Sequence, residues 1–119
     1  MADDPYEVAF GLILAAGNSK AKAYEAIEAA REDRFEDAHA LLVDSAEEFK
    51  AAHKLQFGLL QKEAKRQHID LNIILVHAQD HLTMALMARE NAEELTHVYS
   101  AIADLKNTVN SLKESNHVH

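Results

Sequence analysis

The sequence predicts an all-α fold, an antiparallel three-helix bundle formed by a single domain over residues 1–119. Only three glycines and one proline occur, and the proline lies near the start, so almost nothing after Pro5 interrupts a helix. Alanine, leucine, glutamate and lysine, which favour helices, are abundant. The sequence has no alternating β-branched run and no Asn-Gly or Asp-Gly turn between apolar segments, the usual signs of strands and hairpins.

Helix 1 is predicted over residues 4–31. Asp4 is a suitable N-cap, Pro5 takes the first helical position, and Glu7 stands three residues after the cap, as in a capping box. The polar stretch REDRF, residues 31–35, breaks the helical pattern and predicts a turn. Between these points, small and apolar residues with helical spacing predict the buried stripe: Ile13, Gly17, Ala21, Tyr24 and Ile27.

Helix 2 is predicted over residues 36–66. The charged stretch after it and the residues HIDLN predict a loop, in which either Asp70 or Asn72 is placed to cap the next helix. The predicted buried stripe alternates steps of three and four residues, as in a coiled coil, and comprises Phe35, Ala38, Leu42, Ser45, Phe49, Ala52, Gln56 and Leu59.

Helix 3 is predicted over residues 71–114, and the polar tail 115–119 is expected to fray. Its length from Ile74 to Leu112 would be roughly 60 Å, so two shorter helices cannot cover its far end. Exposed apolar surface of that extent predicts self-association. The predicted stripe comprises Ile74, His77, His81, Met84, Ala88, Asn91, Leu95, Val98, Ile102, Leu105, Val109 and Leu112.

Composition excludes several classes of function. The formal net charge of −8 disfavours nucleic acid, which requires a basic surface. It suits a partner that carries Lys and Arg around its docking surface, although solubility alone also explains it. The absence of cysteine excludes disulfides and thiol chemistry. The residues MADDPYE do not resemble a secretory signal, and LNIILVHA is too short to cross a bilayer, so we expect a soluble cytoplasmic protein.

The stretch LVHAQDHL places two histidines and an aspartate in an apolar segment of helix 3. His77, Asp80 and His81 share one face of a helix, where polar groups without partners are costly to bury. Three interpretations fit this pattern: histidines hydrogen-bonded in the core, a metal site, or a nucleophile. Histidines four residues apart on a helix can both bind one metal, with His53 or His68 as further candidates. A neutral imidazole can also accept a phosphoryl group.

No other motif in the sequence indicates a different kind of active site. There is no HExxH sequence, no glycine-rich phosphate loop and no Ser-His-Asp arrangement. Gln56, on the stripe of helix 2, is either a buried amide with a partner or part of the same polar site. His39 and His97 are predicted at the surface.

The stretch ILVHAQDHL, followed by ALMARE, resembles the signature of the lactose/cellobiose-type IIA components of the bacterial sugar phosphotransferase system. GLILAAGNSKAKAYEAI on helix 1 and AAHKLQ on helix 2 are also similar to family segments, and the likeness runs from about Val8 to Leu112. The chain departs from the family pattern at three places that do not involve the histidines: Leu82-Thr83-Met84, Asp33-Arg34-Phe35 and Gln56-Phe57.

The resemblance implies a trimer that forms a nine-helix bundle. It also implies that His77 accepts a phosphoryl group from HPr and passes it to the cysteine of a IIB component, with Gln79 and His81 as candidate orienting residues. The IIC transporter would be the only link to the membrane, and the sugar a β-linked disaccharide of the cellobiose, chitobiose or lactose class.

In that family an aspartate that matches Asp80 lies near the threefold axis. Three carboxylates so close together repel one another, and a divalent cation between them, most naturally Mg²⁺, would relieve that repulsion. The alternative to phosphoryl transfer is a structural or metal-binding helical oligomer whose histidines only pack or bind metal.

Overall fold

The computed structural model describes residues 4–117 and consists of three helices: α1 (Pro5–Arg31), α2 (Phe35–Ala64) and α3 (Ile73–His117). The predicted all-α class is confirmed, and no strand occurs among the described residues. Helix α2 begins one residue before the predicted start and ends at Ala64 instead of residue 66. Helix α3 begins two residues later than predicted and continues three residues past residue 114, because no glycine or proline stops it. Residues 118 and 119 of the predicted tail lie outside the described part.

The start of α1 follows the predicted capping pattern in part. The carboxylate of Asp4 accepts a hydrogen bond from the backbone N–H of Tyr6 at 3.0 Å, and Pro5 occupies the first helical position. The N–H that Asp4 caps is therefore that of Tyr6, two residues on, and not that of Glu7 as a capping box requires. The helix still gains a satisfied N-terminal donor.

A tight turn joins α1 to α2, as the REDRF stretch predicts. Asp33 takes a left-handed backbone conformation with φ of 63°. The Arg34 guanidinium donates hydrogen bonds to Glu32 and Asp37 at 2.7–2.9 Å. These bonds, first to Glu32 and then to Asp37, raise the pKa of Arg34. Ion pairs from Arg34 to Glu32, at the end of α1, and to Asp37, at the start of α2, thus hold this surface turn together.

Small side chains form most of the core. Helix α1 packs closely along both α2 and α3, whereas α2 and α3 touch each other much less. Because an alanine face lets helix axes approach closely, α1 can contact two helices along its length. The hydroxyl of Ser19 donates to the carbonyl of Ser45 at 2.8 Å, and that of Ser45 donates to the carbonyl of Ser19 at 2.7 Å. The buried residues of α1 are Ala9, Leu12, Ala15, Ala16, Ser19, Ala23, Ala26, Ala29 and Ala30.

The predicted stripe is right for α2, partly right for α1, where Ile13 and Ile27 pack against the core, and mostly wrong for α3. In α2, Ala38, Ser45 and Ala52 are fully buried, as expected. In α1 the predicted Tyr24 is exposed, because the alanine face takes the core instead. In α3 the residues buried in the subunit lie mostly about one position along from the predicted ones: Leu75, Ala78, Leu82, Ala85, Ala88, Ala92 and Thr96. The larger apolar residues of the predicted α3 stripe therefore face outward from the bundle.

Helix α3 extends well past the other two helices. Tyr99 packs against the cluster at the α1–α2 turn, which contains Ala30 and Phe35. Among the residues of α3 up to position 116, Ala103 is the last that is partly buried, and residues 104–116 are all exposed. The described chain is accordingly elongated, with a longest dimension of 78 Å. None of the helices in residues 4–117 is both long and apolar enough to cross a membrane.

Candidate functional site

The candidate site occupies the first turns of α3, and a side-chain cap fixes where that helix begins. The backbone N–H of Leu75 donates to the Asn72 side-chain oxygen at 2.8 Å, so Asn72 is the N-cap that the sequence left open between two residues. The other candidate, Asp70, contacts the His68 ring within the preceding loop. Leu75, Ala78 and Leu82 then anchor one face of the helix in the core. This packing directs the polar residues between these positions, His77 and Asp80 among them, away from α1.

His77 and His81 lie one helical turn apart and contact each other. Their Nε2 atoms are 3.1 Å apart, their ring centroids are separated by 4.5 Å, and their planes are almost perpendicular at 89°. His77 is exposed and His81 is partly buried. The interpretation of these histidines as core residues is therefore wrong for the subunit. Instead, His77 presents an accessible imidazole that has a polar neighbour.

The short contact between the two Nε2 atoms restricts the protonation of the pair. A hydrogen bond between two neutral imidazoles needs one N–H donor and one bare acceptor nitrogen. If His81 donates, His77 carries its proton on Nδ1, and its Nε2 keeps an unprotonated lone pair. A nitrogen in that state can act as a nucleophile without first losing a proton.

Gln79 points away from His77. Its side-chain carbonyl accepts a hydrogen bond from the Gln56 amide at 2.6 Å, which joins α3 to α2. Of the two interpretations of Gln56, the structure favours an amide with a partner, although this amide is only partly buried. Among residues 4–117, neither glutamine is hydrogen-bonded to either histidine. The Gln56–Gln79 hydrogen bond therefore ties the first turns of α3 to α2.

Asp80 projects from the same turn of α3 and is exposed. Among the described residues its carboxylate has no hydrogen-bond or ion-pair partner. Within residues 4–117, no three His, Cys, Asp or Glu side chains come together as metal ligands. One chain thus offers a single carboxylate, an oxygen donor of the kind that Mg²⁺ prefers. The residues present would fit the cation only where several copies of Asp80 meet.

The remaining histidines do not join this site. His53 stacks against Phe49, with ring centroids 6.2 Å apart, and His68 is held by Asp70. His39 and His97 are exposed, as predicted, on a shallow groove between α2 and α3. A metal site built from His77, His81 and either His53 or His68 is therefore excluded within one chain.

A large cavity lies elsewhere. Its volume is about 470 Å³, and it opens between α1 and α2, where Val8, Leu55 and Leu59 supply an apolar wall and Lys54 lies at the rim. His77 does not line it. The His77 imidazole is exposed in the part of the chain that the structure describes, so the reacting group of a second molecule can approach it from the open surface.

Comparison with known proteins gives one consistent family. The family model described as "PTS system, Lactose/Cellobiose specific IIA subunit" matches residues 7–100. The lichenan-specific phosphotransferase enzyme IIA component of Bacillus subtilis (strain 168) is 36% identical over 104 residues, which cover 87% of this chain and 94% of that protein. The N,N'-diacetylchitobiose-specific EIIA component of Escherichia coli (strain K12) is 33% identical, with coverage of 85% and 87%.

Solved structures agree with these relatives. The cellobiose-specific enzyme IIA from Bacillus anthracis superimposes with a TM-score of 0.81 at 33% identity and covers 82% of this chain and 90% of its own. A IIA(Chitobiose)-HPr complex of the Escherichia coli phosphotransferase system gives a TM-score of 0.74 at 31% identity, with coverage of 86% and 99%.

Proposed function

The chain belongs to the lactose/cellobiose-specific IIA family of the sugar phosphotransferase system, and we propose that it carries a phosphoryl group on His77. The donor would be phospho-HPr, and the acceptor the cysteine of a IIB component. The accessible His77 imidazole, with Nε2 placed 3.1 Å from Nε2 of His81, is the observation that supports this assignment. A family member was solved in complex with HPr, which supports HPr as the partner.

The proposed reaction is an in-line displacement at phosphorus. The lone pair of His77 Nε2 forms a bond to the phosphorus atom of phospho-HPr, while the bond from that phosphorus to the HPr imidazole breaks. The cysteine thiolate of the IIB component then attacks the same phosphorus, and His77 leaves as a neutral imidazole. No ATP is needed at either step, because each phosphorylated residue is already an activated donor. Positioning and charge stabilisation account for most of the catalysis in such transfers.

His81 would assist His77 in two ways. Before the transfer, its Nε2–H donates to His77 Nε2 and so favours the tautomer with the unprotonated nucleophile. When phosphorus approaches, this hydrogen bond must break, and the released N–H lies beside the incoming phosphoryl oxygens. A hydrogen bond to a charged oxygen is stronger than one between neutral groups. His81 is thus an orienting residue that becomes a phosphoryl ligand.

Assembly of three copies is part of the proposal. Helix α3 exposes a stripe of large apolar residues, and Asp80 lies in continuity with it and has no partner among residues 4–117. Where three Asp80 carboxylates meet on an axis, bound Mg²⁺ would offset their mutual repulsion. This cation would hold the subunits together, and no phosphoryl-transfer step depends on it.

The names of the relatives indicate a class of sugar and not one particular sugar. The names of the similar proteins include lichenan, cellobiose, N,N'-diacetylchitobiose, galactose and lactose. A β-linked disaccharide therefore agrees with most of them. The membrane-embedded IIC component, and not this chain, would bind the sugar.

Reconstitution tests the assignment of His77. The full chain is incubated with phosphoenolpyruvate, enzyme I and HPr, and intact-mass spectrometry detects the phosphorylated species. We expect one acid-labile phosphoryl group per wild-type chain and none on His77→Ala, with helix content unchanged by circular dichroism. His39→Ala, which removes an exposed histidine of α2, is the matched control and should label normally. Normal labelling of His77→Ala would exclude His77, and an unlabelled wild-type chain beside active HPr would favour the structural oligomer.

A further inference from the structure

The cavity between α1 and α2 has no part in the proposed phosphoryl transfer. Its volume of about 470 Å³ lies within the range of roughly 300–1,000 Å³ that is typical of sites for small organic ligands. Val8 of α1 faces Leu55 and Leu59 of α2 across it. A second cavity of about 200 Å³ shares Val8, Leu59 and Lys62 with the first and extends it toward His68. We call the larger cavity the α1–α2 groove.

Gly58 leaves the middle of this groove open. It lies in the interior of α2, where glycine is unfavourable relative to alanine. A Cβ atom added at Gly58 would come within 4 Å of no side chain and of no other element in the described part of the chain. By contrast, a Cβ atom at Gly11 of α1 would lie 3.2 Å from Cδ1 of Leu55, so packing within the subunit accounts for that glycine. Packing does not account for Gly58, which leaves room for a group from another molecule.

The charged side chains on this groove are lysines. Lys54 and Lys62 line it, and none of the described residues that line it is acidic. They lie eight residues apart on α2, which corresponds to about 12 Å along the helix axis, with Gly58 midway between them. Lys54 is exposed and has no hydrogen-bond or ion-pair partner among residues 4–117. In a chain with a formal net charge of −8, this groove is thus a local site that favours an anionic group.

We propose that the α1–α2 groove binds a single-chain carboxylate amphiphile, a molecule of the medium-chain fatty acid type. The hydrocarbon chain would lie over Gly58 against Val8, Leu55 and Leu59, and the carboxylate would meet the ammonium group of Lys54 at the rim. The opposite direction is unfavourable, because Asp70 lines the extension of the groove and would repel the carboxylate.

The apolar wall of the groove argues against more polar ligands. A sugar or a nucleotide would lose water from its hydroxyl groups there, since Val8, Leu55 and Leu59 offer no side-chain hydrogen bond in exchange. An extended acidic peptide would likewise leave backbone groups without partners. A hydrocarbon chain loses no hydrogen bond in the same place. The inference is independent of any chemistry at His77.

Isothermal titration calorimetry of the full-length chain with sodium decanoate, below its micelle-forming concentration, tests the proposal. We expect saturable binding of one decanoate per chain. Acetate has the charge without the chain, and decyltrimethylammonium has a chain of the same length with the opposite charge. Both should bind at least about tenfold more weakly. Non-specific adsorption to an acidic protein would favour the cation, so a preference for decanoate indicates the lysines of the groove.

Filling the space at Gly58 tests the location of the site. Leucine favours a helix more than glycine does, and the added side chain has free space, so Gly58→Leu should keep the helix content by circular dichroism. We expect its dissociation constant for decanoate to rise at least about tenfold. Gly17→Leu is the matched control, because Gly17 also lies inside a helix with free space around it but does not line the groove. It should bind decanoate as the wild type does.

Charge reversal tests the position of the carboxylate. Lys54→Glu should raise the dissociation constant for decanoate roughly fivefold, an effect typical of an exposed charge pair. Lys106→Glu changes the net charge equally but lies on the part of α3 that extends past the other helices, so it should bind decanoate as the wild type does. Methyl NMR of the wild type should show the largest decanoate-induced shifts at Val8, Leu55 and Leu59.

Three results would overturn the proposal. The first is a wild-type chain that shows no saturable binding of decanoate, and the second is equal or tighter binding of decyltrimethylammonium. The third is equal affinity of Gly58→Leu and Gly17→Leu for decanoate, which would place the ligand outside the groove. Labelling of the wild-type chain by phospho-HPr is measured separately, so failure of this site and failure of the assignment of His77 are distinguished.

Discussion

The reactivity of His77 depends on which ring of the histidine pair donates the hydrogen bond. If His77 donated its own Nε2–H, that nitrogen would have no lone pair with which to attack phosphorus. Donation by His81 leaves His77 Nε2 unprotonated at 3.1 Å from its partner. In the proposed mechanism, donation by His81, one helical turn away, selects the tautomer of the nucleophile. This is a common way in which a neighbour sets the role of a histidine.

Removal of the His81 donor should slow phosphorylation without abolishing it. In His81→Phe a ring of similar size remains, but no N–H can reach His77 or a phosphoryl oxygen. We expect the initial rate of transfer from limiting phospho-HPr to fall roughly fivefold, since one hydrogen bond contributes about 1 kcal/mol. Quenched-flow sampling followed by intact-mass spectrometry measures the rate.

The variant His81→Gln provides the conservative comparison, because its amide can donate from a similar position. Partial recovery of the rate in this variant, with unchanged thermal stability, is the result that a donor role requires. A His81→Phe protein that reacts at the wild-type rate would show that His81 has no part in the transfer.

For single residues, the sequence predicted which side chains share a helix face better than it predicted what those side chains contact. The spacing in HAQDH correctly predicted that His77 and His81 share a face, because helical geometry alone sets that relation. It did not reveal that Gln79 binds Gln56, since that contact joins residues 23 apart in the chain. Nor did it place the histidines outside the subunit core, which depends on how α3 is rotated against α1.

The N-cap at the start of α3 should contribute measurably to the stability of the fold. Asn72→Ala removes the side-chain oxygen that accepts the Leu75 N–H. We expect the free energy of unfolding to fall by about 1 kcal/mol, the usual cost of losing such a cap. Urea unfolding followed by circular dichroism measures the change at a fixed protein concentration.

Asp70→Ala is the control for this prediction, because Asp70 lies in the same loop but contacts His68 instead of a helix N–H. Its free energy of unfolding should change by less than that of Asn72→Ala. If both variants lose the same stability, the loop as a whole, and not the cap, would be responsible.

Rotation of the helices was the least predictable feature at the scale of elements. The number and order of the helices followed from the scarcity of glycine and proline, and the stripe of α2 followed from its phenylalanines and leucines. In α1 and α3, alanines fill the core while Tyr24, Leu95 and Val98 face outward. A pattern that weights large apolar residues selects the wrong face wherever small residues permit close helix packing.

At the scale of the whole molecule, the outward stripe of α3 explains why the subunit buries so little of its large apolar surface. Leu12, Leu75 and Leu82 are the large side chains of the buried core, and many others are exposed. The predicted stripe of α3 was wrong for the bundle within one chain, yet its residues form the surface that we propose lies between copies. Helix α3 therefore has two apolar faces. The spacing of apolar residues alone does not show which face packs within the subunit and which face packs between copies.

Asp80 is an acidic residue beside that outward surface, and its replacement tests whether copies meet there. In Asp80→Leu an apolar side chain replaces a carboxylate that would repel its equivalents. We expect the oligomer of this variant to dissociate only at a lower protein concentration than the wild-type oligomer does. We also expect the variant to lose binding of Mg²⁺. Sedimentation equilibrium measures the first property, and isothermal titration calorimetry with MgCl₂ alone measures the second.

The matched control is Asp104→Leu, which makes the same substitution at an exposed position on the flank of α3. It should keep wild-type Mg²⁺ binding, because it leaves the Asp80 carboxylates intact. Phosphorylation of His77 should continue in Asp80→Leu, since the proposed cation takes part in no transfer step. Retention of Mg²⁺ by Asp80→Leu would place the cation elsewhere, and an unchanged dissociation constant of the assembly in this variant would show that the carboxylates do not face one another. Either result would separate Asp80 from the assembly while leaving the role of His77 to its own test.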